Sequence, residues 1–351
     1  MDHIQRLKKD YPWIQTPVVV GAPMRLIALA EMAVEITKAG GIGFLGAGTS
    51  DISLPTQLQK VQTLLSSSPP LLTRSSTLPI GIGFINWGAD LASSLPHIQQ
   101  FRPAAVWFFS PSSPSSLQDW TQKTRQASPD TKIWIQVGSV AEALAALDVQ
   151  PDVLVVQGTD AGGHGLARGA GLLPLFPEVQ DAVTHACQSA NRERPILIAA
   201  GGVVEARSAA AALTLGAEGV VLGTRLLASH EAVISPGYKK EVLRASDGGQ
   251  TTVRTKVYDD IRGTTGWADT YNGRGVINRS FEDAVAGMSV EENKKLYGEE
   301  MEKGDSGWGP EARMTTYAGT GVGLVREIMG AGEIVGEVRE GARRVAEGLK
   351  L

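Results

Sequence analysis

One cysteine in 351 residues, Cys187, leaves no partner for an internal disulfide and too few thiolates for a cysteine-based zinc site. A chain this poor in cysteine fits a reducing compartment, and a cytoplasmic location is expected. Long hydrophobic runs are also missing. The apolar stretches fall far short of the roughly 20 residues that cross a bilayer, so no membrane association is expected. The opening MDHIQRLKKDYPW has charges but no apolar segment behind them, and does not read as a secretory leader. Positive charge is not in excess, with 33 Lys and Arg against 37 Asp and Glu and a formal net charge of −4. That balance argues against nucleic acid as a partner. No His, Asp and Glu cluster has ligand spacing, so no metal is expected. No GxSxG elbow is present to carry a serine nucleophile. The tail Leu349-Lys350-Leu351 loosely resembles a peroxisomal address, with Leu where a small residue is usual. The peroxisome therefore stands behind the cytoplasm as a second location.

What the chain does have is short apolar runs. Eight recur, at Pro17–Pro23, Gly41–Gly46, Pro79–Ile85, Ala104–Phe109, Lys132–Val137, Asp152–Gln157, Pro195–Ala200 and Gly219–Gly223. The runs are continuous rather than alternating, as in strands buried on both faces. Helical patterns fit between them. Ser139-Val140-Ala141-Glu142 has the form of a capping box, and the Ala-rich segment Val204–Leu215 stops at Gly216. Eight β–α units closing on themselves predict an α/β fold of the TIM (β/α)8 barrel type. An open doubly wound sheet is the alternative, and Gly41-Ile42-Gly43-Phe44-Leu45-Gly46 does spell GxGxxG. Those glycines sit inside the apolar run, however, and no helix start follows them, so close packing of a barrel strand is the better reading. Residues 229–316 are charged, Gly-rich and irregular. They are expected to form an insertion after strand eight, either a lid over the catalytic mouth or a surface excursion. Residues 1–228 and 317–351 would then form the barrel, with Gly323–Leu349 as a closing helical segment.

In such a barrel the chemistry lies at the C-terminal ends of the strands. The sixth run leads into QGTDAGGHG, residues 157–165. Gly162 and Gly163 there allow a ligand to approach the main chain. His164 is the best-placed of the five histidines to move a proton. Gly201-Gly202 and Gly223-Thr224 follow the seventh and eighth runs, where these barrels usually hold a phosphate; two tight turns are the other reading. Gln157 and Asn86, at strand tips, can hydrogen-bond a polar ring edge.

GAPM after the first run, Ala39-Gly40-Gly41-Ile42-Gly43, QGTDAGGHG, AAGG and LGTR occur in this order. As a set they resemble the nitronate monooxygenase family, formerly the 2-nitropropane dioxygenases. The resemblance runs from about residue 15 to 230. It resumes weakly near Tyr258, at Gly273–Asn278 and at Ala318–Gly323. It implies an FMN-binding barrel that oxidises nitronates with O2 to a carbonyl compound and nitrite. Ala22, Pro23 and Met24 would line the isoalloxazine through backbone groups. Asn86 and Gln157 would touch its polar atoms. Gly162, Gly202, Gly223 and Thr224 would hold the ribityl phosphate, and His164 would be the catalytic base. The chain departs from the family at Arg25-Leu26-Ile27-Ala28, where many members have a small-residue turn. Arg25 either brings positive charge near the flavin or points to solvent. An NAD(P)H-dependent FMN reductase of enoyl-thioesters or quinones on the same scaffold is the alternative function. A regulatory flavin-binding protein, or a barrel enzyme acting on a phosphorylated substrate, stands further back.

Overall fold

Each of the eight apolar runs holds a strand. They are β1 (Val18–Gly21), β2 (Phe44–Gly48), β3 (Leu78–Ile85), β4 (Pro103–Phe109), β5 (Lys132–Val137), β6 (Val153–Gln157), and, after a short β7 (Gly163–Leu166) that lies apart, β8 (Ile196–Ala200) and β9 (Gly219–Leu222). The computed structural model describes residues 2–49, 53–66, 71 and 75–348. The tail Leu349-Lys350-Leu351 lies outside the described residues. The eight strands pair in parallel in the order β1-β9-β8-β6-β5-β4-β3-β2. A parallel bridge between Val20 and Ile42 joins the two ends, so the sheet curls into a TIM barrel. Along β6, Val153 and Val155 join the inner cluster with Trp107 and Trp134. Leu154 and Val156 pack outward against the helices. Both faces of the strand are therefore buried, which is why the run is continuous.

Helices between the strands form the outer ring. Ser139 caps the helix Val140–Ala146 by accepting the N–H of Glu142. The return bond of the capping box is displaced by one residue: Glu142 Oε2 accepts from Gly138 at 2.7 Å, while Oε1 accepts from the Tyr271 hydroxyl. After β9 the chain forms only the single turn Thr224–Leu227. The place of an eighth long helix is taken by the C-terminal helix Ala331–Gly348, packed against Ala206–Thr214 and Ala30–Lys38. The GxGxxG stretch opens no helix. A Cβ on Gly43 would lie 1.9 Å from the Ala33 carbonyl oxygen, and one on Gly46 would lie 2.2 Å from that of Met24. These glycines serve close packing, as expected from their place inside the run.

The N-terminal segment has a role that its sequence does not announce. Leu7, Tyr11 and Trp13 join the inner barrel cluster. Trp13 Nε1 donates to the Gly41 carbonyl (2.9 Å), and Trp134 Nε1 donates to the Tyr11 hydroxyl (2.7 Å). The helix His3–Asp10 and the turn after it thus cap the inner barrel, their polar ring atoms satisfied as burial requires.

Residues 163–166, expected as loop, are strand β7. The sequence gives no strand signal there, since Gly163, His164 and Gly165 have little β propensity. The strand exists because β11 (Tyr271–Val276) pairs with it antiparallel and is itself paired to β10 (Thr252–Thr255). His164 stands opposite Gly273 in this register. The region after β9 is thus zipped by backbone hydrogen bonds to the barrel's glycine loop. Among the described residues no helix is long and apolar enough to cross a membrane.

Candidate active site

A cavity of about 770 Å³ opens at the C-terminal ends of the barrel strands, the size and place of a ligand site in this architecture. Ala22, Pro23, Met24, Gln157, Gly162, Gly163, His164, Gly201, Gly202, Gly223 and Thr224 all line it. Asn86 does not. It is 3% exposed, its Oδ1 accepts the Phe109 N–H at 2.8 Å, and its Nδ2 is buried without a partner. Arg25 lies along the cavity wall, its methylenes against Gly48, and its Nε is buried and unpartnered. Its Nε is therefore turned into the protein.

One end of the cavity is bare backbone. Gly201 and Gly202 follow β8 with φ of +95° and +79°, a conformation that a side chain makes costly. A Cβ on Gly201 would also sit 2.6 Å from the Gly158 carbonyl oxygen. Gly223 and Thr224 follow β9. Thr224 Oγ1 accepts the Gly319 N–H at 3.0 Å, so its own hydrogen is free to be donated. Gly319 and Gly321, from the Ala318–Gly323 stretch, line the same cavity. Sequence reasoning gave that stretch a resemblance but no role.

The other wall is His164. Its Nε2 lies 2.9 Å and 3.1 Å from the two carboxylate oxygens of Asp259. The Thr264 hydroxyl donates to Asp259 Oδ1 at 2.7 Å, and the Tyr317 hydroxyl reaches the same atom at 3.3 Å. Trp267 stacks on the imidazole, with centroids 3.9 Å apart and planes 7° from parallel. The carboxylate is 4% exposed and the histidine side chain 15%. Gln157 Nε2 donates to the His164 carbonyl at 3.3 Å, tying β6 to β7. Asp259, Thr264, Trp267 and Tyr317 were not found by sequence reasoning. Asp259 is one of 37 acidic residues and lies 95 positions from the histidine, so no local spacing marks it.

Residues Val233, Tyr238, Arg262, Trp267, Tyr297 and Trp308 are among those that line it from the region after β9. Among the described residues the fixed charges on the wall are Arg25 and Arg262, and none that lines it is acidic. Arg262 lies over the Tyr317 ring, 5.3 Å from its centroid. Burial pushes the Tyr238 and Tyr317 hydroxyls well above the usual phenol range, so both are neutral donors at ordinary pH. Among the described residues no group of His, Cys, Asp and Glu is placed to hold a metal ion.

The nitronate monooxygenase family model matches residues 116–341. The nitronate monooxygenase npaC of Metarhizium robertsii is 47% identical, over 97% of this chain and 95% of that one. The nitronate monooxygenase of Neurospora crassa is 37% identical, over 97% and 93%. Among solved structures, the nitroalkane oxidase of Streptomyces ansochromogenes aligns with a TM-score of 0.72 at 20% identity, over 95% of this chain and 98% of that one. FabK from Thermotoga maritima aligns with a TM-score of 0.71 at 20% identity, over 97% of each. At such identity the two structures speak for the barrel alone.

Proposed function

The chain belongs to the nitronate monooxygenase family and is an oxidoreductase, and from that premise we propose an FMN-dependent enzyme that oxidises nitronates with O2 to a carbonyl compound and nitrite. The observation that carries this reading is the cavity itself. A backbone cradle of glycines lies at one part of its wall, and a histidine bonded to a buried carboxylate lies at another.

The residues present fit FMN. Gly162, Gly163, Gly201, Gly202, Gly223 and the Thr224 hydroxyl would hold the ribityl phosphate, where no acidic side chain among the described residues lines the wall to repel it. The main chain at Ala22, Pro23 and Met24 would lie against the ring system. Buried polar groups normally have partners, yet Arg25 Nε, Trp87 Nε1 and Trp308 Nε1, all on lining residues, have none. Donors of this kind suit a ligand with acceptor atoms along its edge. Gln157 would serve the same edge, and Asn86 Nδ2 would act from just behind the wall. Bound FMN would supply the redox chemistry.

The chain's own tasks are binding, proton transfer and exclusion of water. His164 takes the α-proton of a neutral nitroalkane, and the C–H electron pair moves into the nitro group to give the nitronate. Arg25 and Arg262 favour that anion over the neutral compound. Residues 229–316 would act as the lid, since their aromatic side chains Tyr238, Trp267, Tyr297 and Trp308 line the cavity.

The test is nitrite release from a nitronate in air with no nicotinamide present. Stoichiometric nitrite, carbonyl product and O2 uptake are expected. An enzyme that leaves nitronates untouched and oxidises NADH or NADPH instead would move the function to the reductase reading.

A further inference from the structure

The reading of His164 as base leaves open which ring nitrogen does the work and what sets the choice. Nε2 faces the Asp259 carboxylate, which can only accept, so Nε2 must carry the hydrogen. Nδ1 makes no hydrogen bond among the described residues, yet it is not among the buried atoms left without a partner, so it is not sealed off. His164 lines the cavity. We propose that Asp259, carried by the region after β9, is the positioning residue that holds His164 in the Nε2–H tautomer and thereby makes Nδ1 the atom that accepts the substrate proton. This inference rests on the proposed base role of His164.

The surroundings support the assignment. Asp259 sits in the helix Val257–Arg262, directly after β10. The ladder β10-β11-β7 therefore ties the strand that carries the base to the helix that carries the acid. The hydroxyls of Thr264 and Tyr317 both address Oδ1, which fixes the rotation of the carboxylate. Trp267 fixes the plane of the ring and gives an imidazolium a π face. Other charges near the dyad are accounted for. Arg262 lies over Tyr317, while Arg254 and Arg274 are turned to the carbonyls of Thr159 and Ala161. On proton transfer the α-carbon's proton goes to Nδ1 and its bonding pair stays with the nitronate. The positive charge then sits between Trp267 and Asp259. The barrel supplies the base and the region after β9 supplies its orientation, so neither part makes a working site alone.

The first test needs no turnover. The full chain, with and without FMN, is labelled with 15N-histidine, and the His164 signals are identified by their loss in His164→Asn. The neutral ring should show Nε2 protonated and Nδ1 bare. A proton on Nδ1 in the unmutated protein overturns the proposal. In Asp259→Asn the two hydroxyls would keep the amide oxygen, and the NH2 would face Nε2. The ring proton should then move to Nδ1, a change that a merely structural residue would not produce. Turnover of a neutral nitroalkane by that variant should fall by about 10²-fold or more, with a much smaller loss on the pre-formed nitronate. If His164→Asn shows this split and Asp259→Asn does not, the positioning role is wrong and the base stands. If His164→Asn shows no split, the base reading itself fails.

Discussion

At the scale of the residue, the account turns on His164. Replacing it with Asn keeps the size and a polar edge but removes the ability to take a proton. FMN content should be unchanged. Turnover of a neutral nitroalkane should drop by about 10²–10⁴-fold, the usual worth of a positioned base. A pre-ionised nitronate has already lost its proton and should suffer far less. Equal losses on the two substrate forms would contradict the assignment. The place of His164 on the cavity wall was legible because a titratable ring among glycines at a strand end has few structural reasons to be there. The cradle glycines were legible because bare backbone after adjacent strands has a geometric meaning. Asp259 was not. A buried acid earns its role from a partner 95 positions away, and a single sequence holds no trace of that contact. Asn86 was read from its place at a strand tip as a ligand contact; it stands just behind the cavity wall, with its carbonyl oxygen used by the Phe109 N–H.

At the scale of the element, the eight barrel strands were readable because burial on both faces removes polar residues from them. β7 was not, because pairing with β11 rather than its own composition makes it a strand. Two arginines show how tightly that small sheet is joined to the glycine loop. Arg254 and Arg274 stand opposite each other in the β10–β11 register, and each donates Nε to the Thr159 carbonyl at 3.1 Å. Burial, with Arg274 beside it, lowers the Arg254 pKa to about 10, so it remains charged at neutral pH. Two like charges held together in a poorly hydrated place are unfavourable, and the carbonyls of Thr159, Ala161 and Asn272 offset this. Arg274→Gln should destabilise the protein by about 1–3 kcal/mol through the weakened bond to Thr159. Amide hydrogen exchange over residues 159–163 should quicken, while exchange in the barrel strands stays as it was. Uniform quickening throughout the chain would show that the pair supports the whole fold rather than this loop.

At the scale of the whole molecule, the barrel separates stability from chemistry. The cavity lies at one end of the strands, and the N-terminal segment packs into the inner core through Tyr11 and Trp13. Tyr11→Phe would leave Trp134 Nε1 buried without an acceptor, costing about 1–3 kcal/mol. Thermal melting should register that loss while turnover at moderate temperature is unchanged. Lowered turnover in a fully folded variant would mean that the two ends of the barrel are coupled. The architecture followed from spacing and hydropathy alone. The seating of the N-terminal segment against the inner core did not, since it depends on where irregular chain comes to rest, and the sequence left residues 229–316 open between a lid and a surface excursion. The central claim is that nitronate alone delivers electrons to the bound cofactor. Its most direct test is anaerobic: the visible spectrum of the purified protein is recorded, a nitronate is added to one cuvette, and NADH or NADPH to another. The account predicts a yellow protein whose flavin band is rapidly lost with nitronate and not with either nicotinamide; a band lost only with a nicotinamide, or a colourless protein that takes up no FMN, would contradict it.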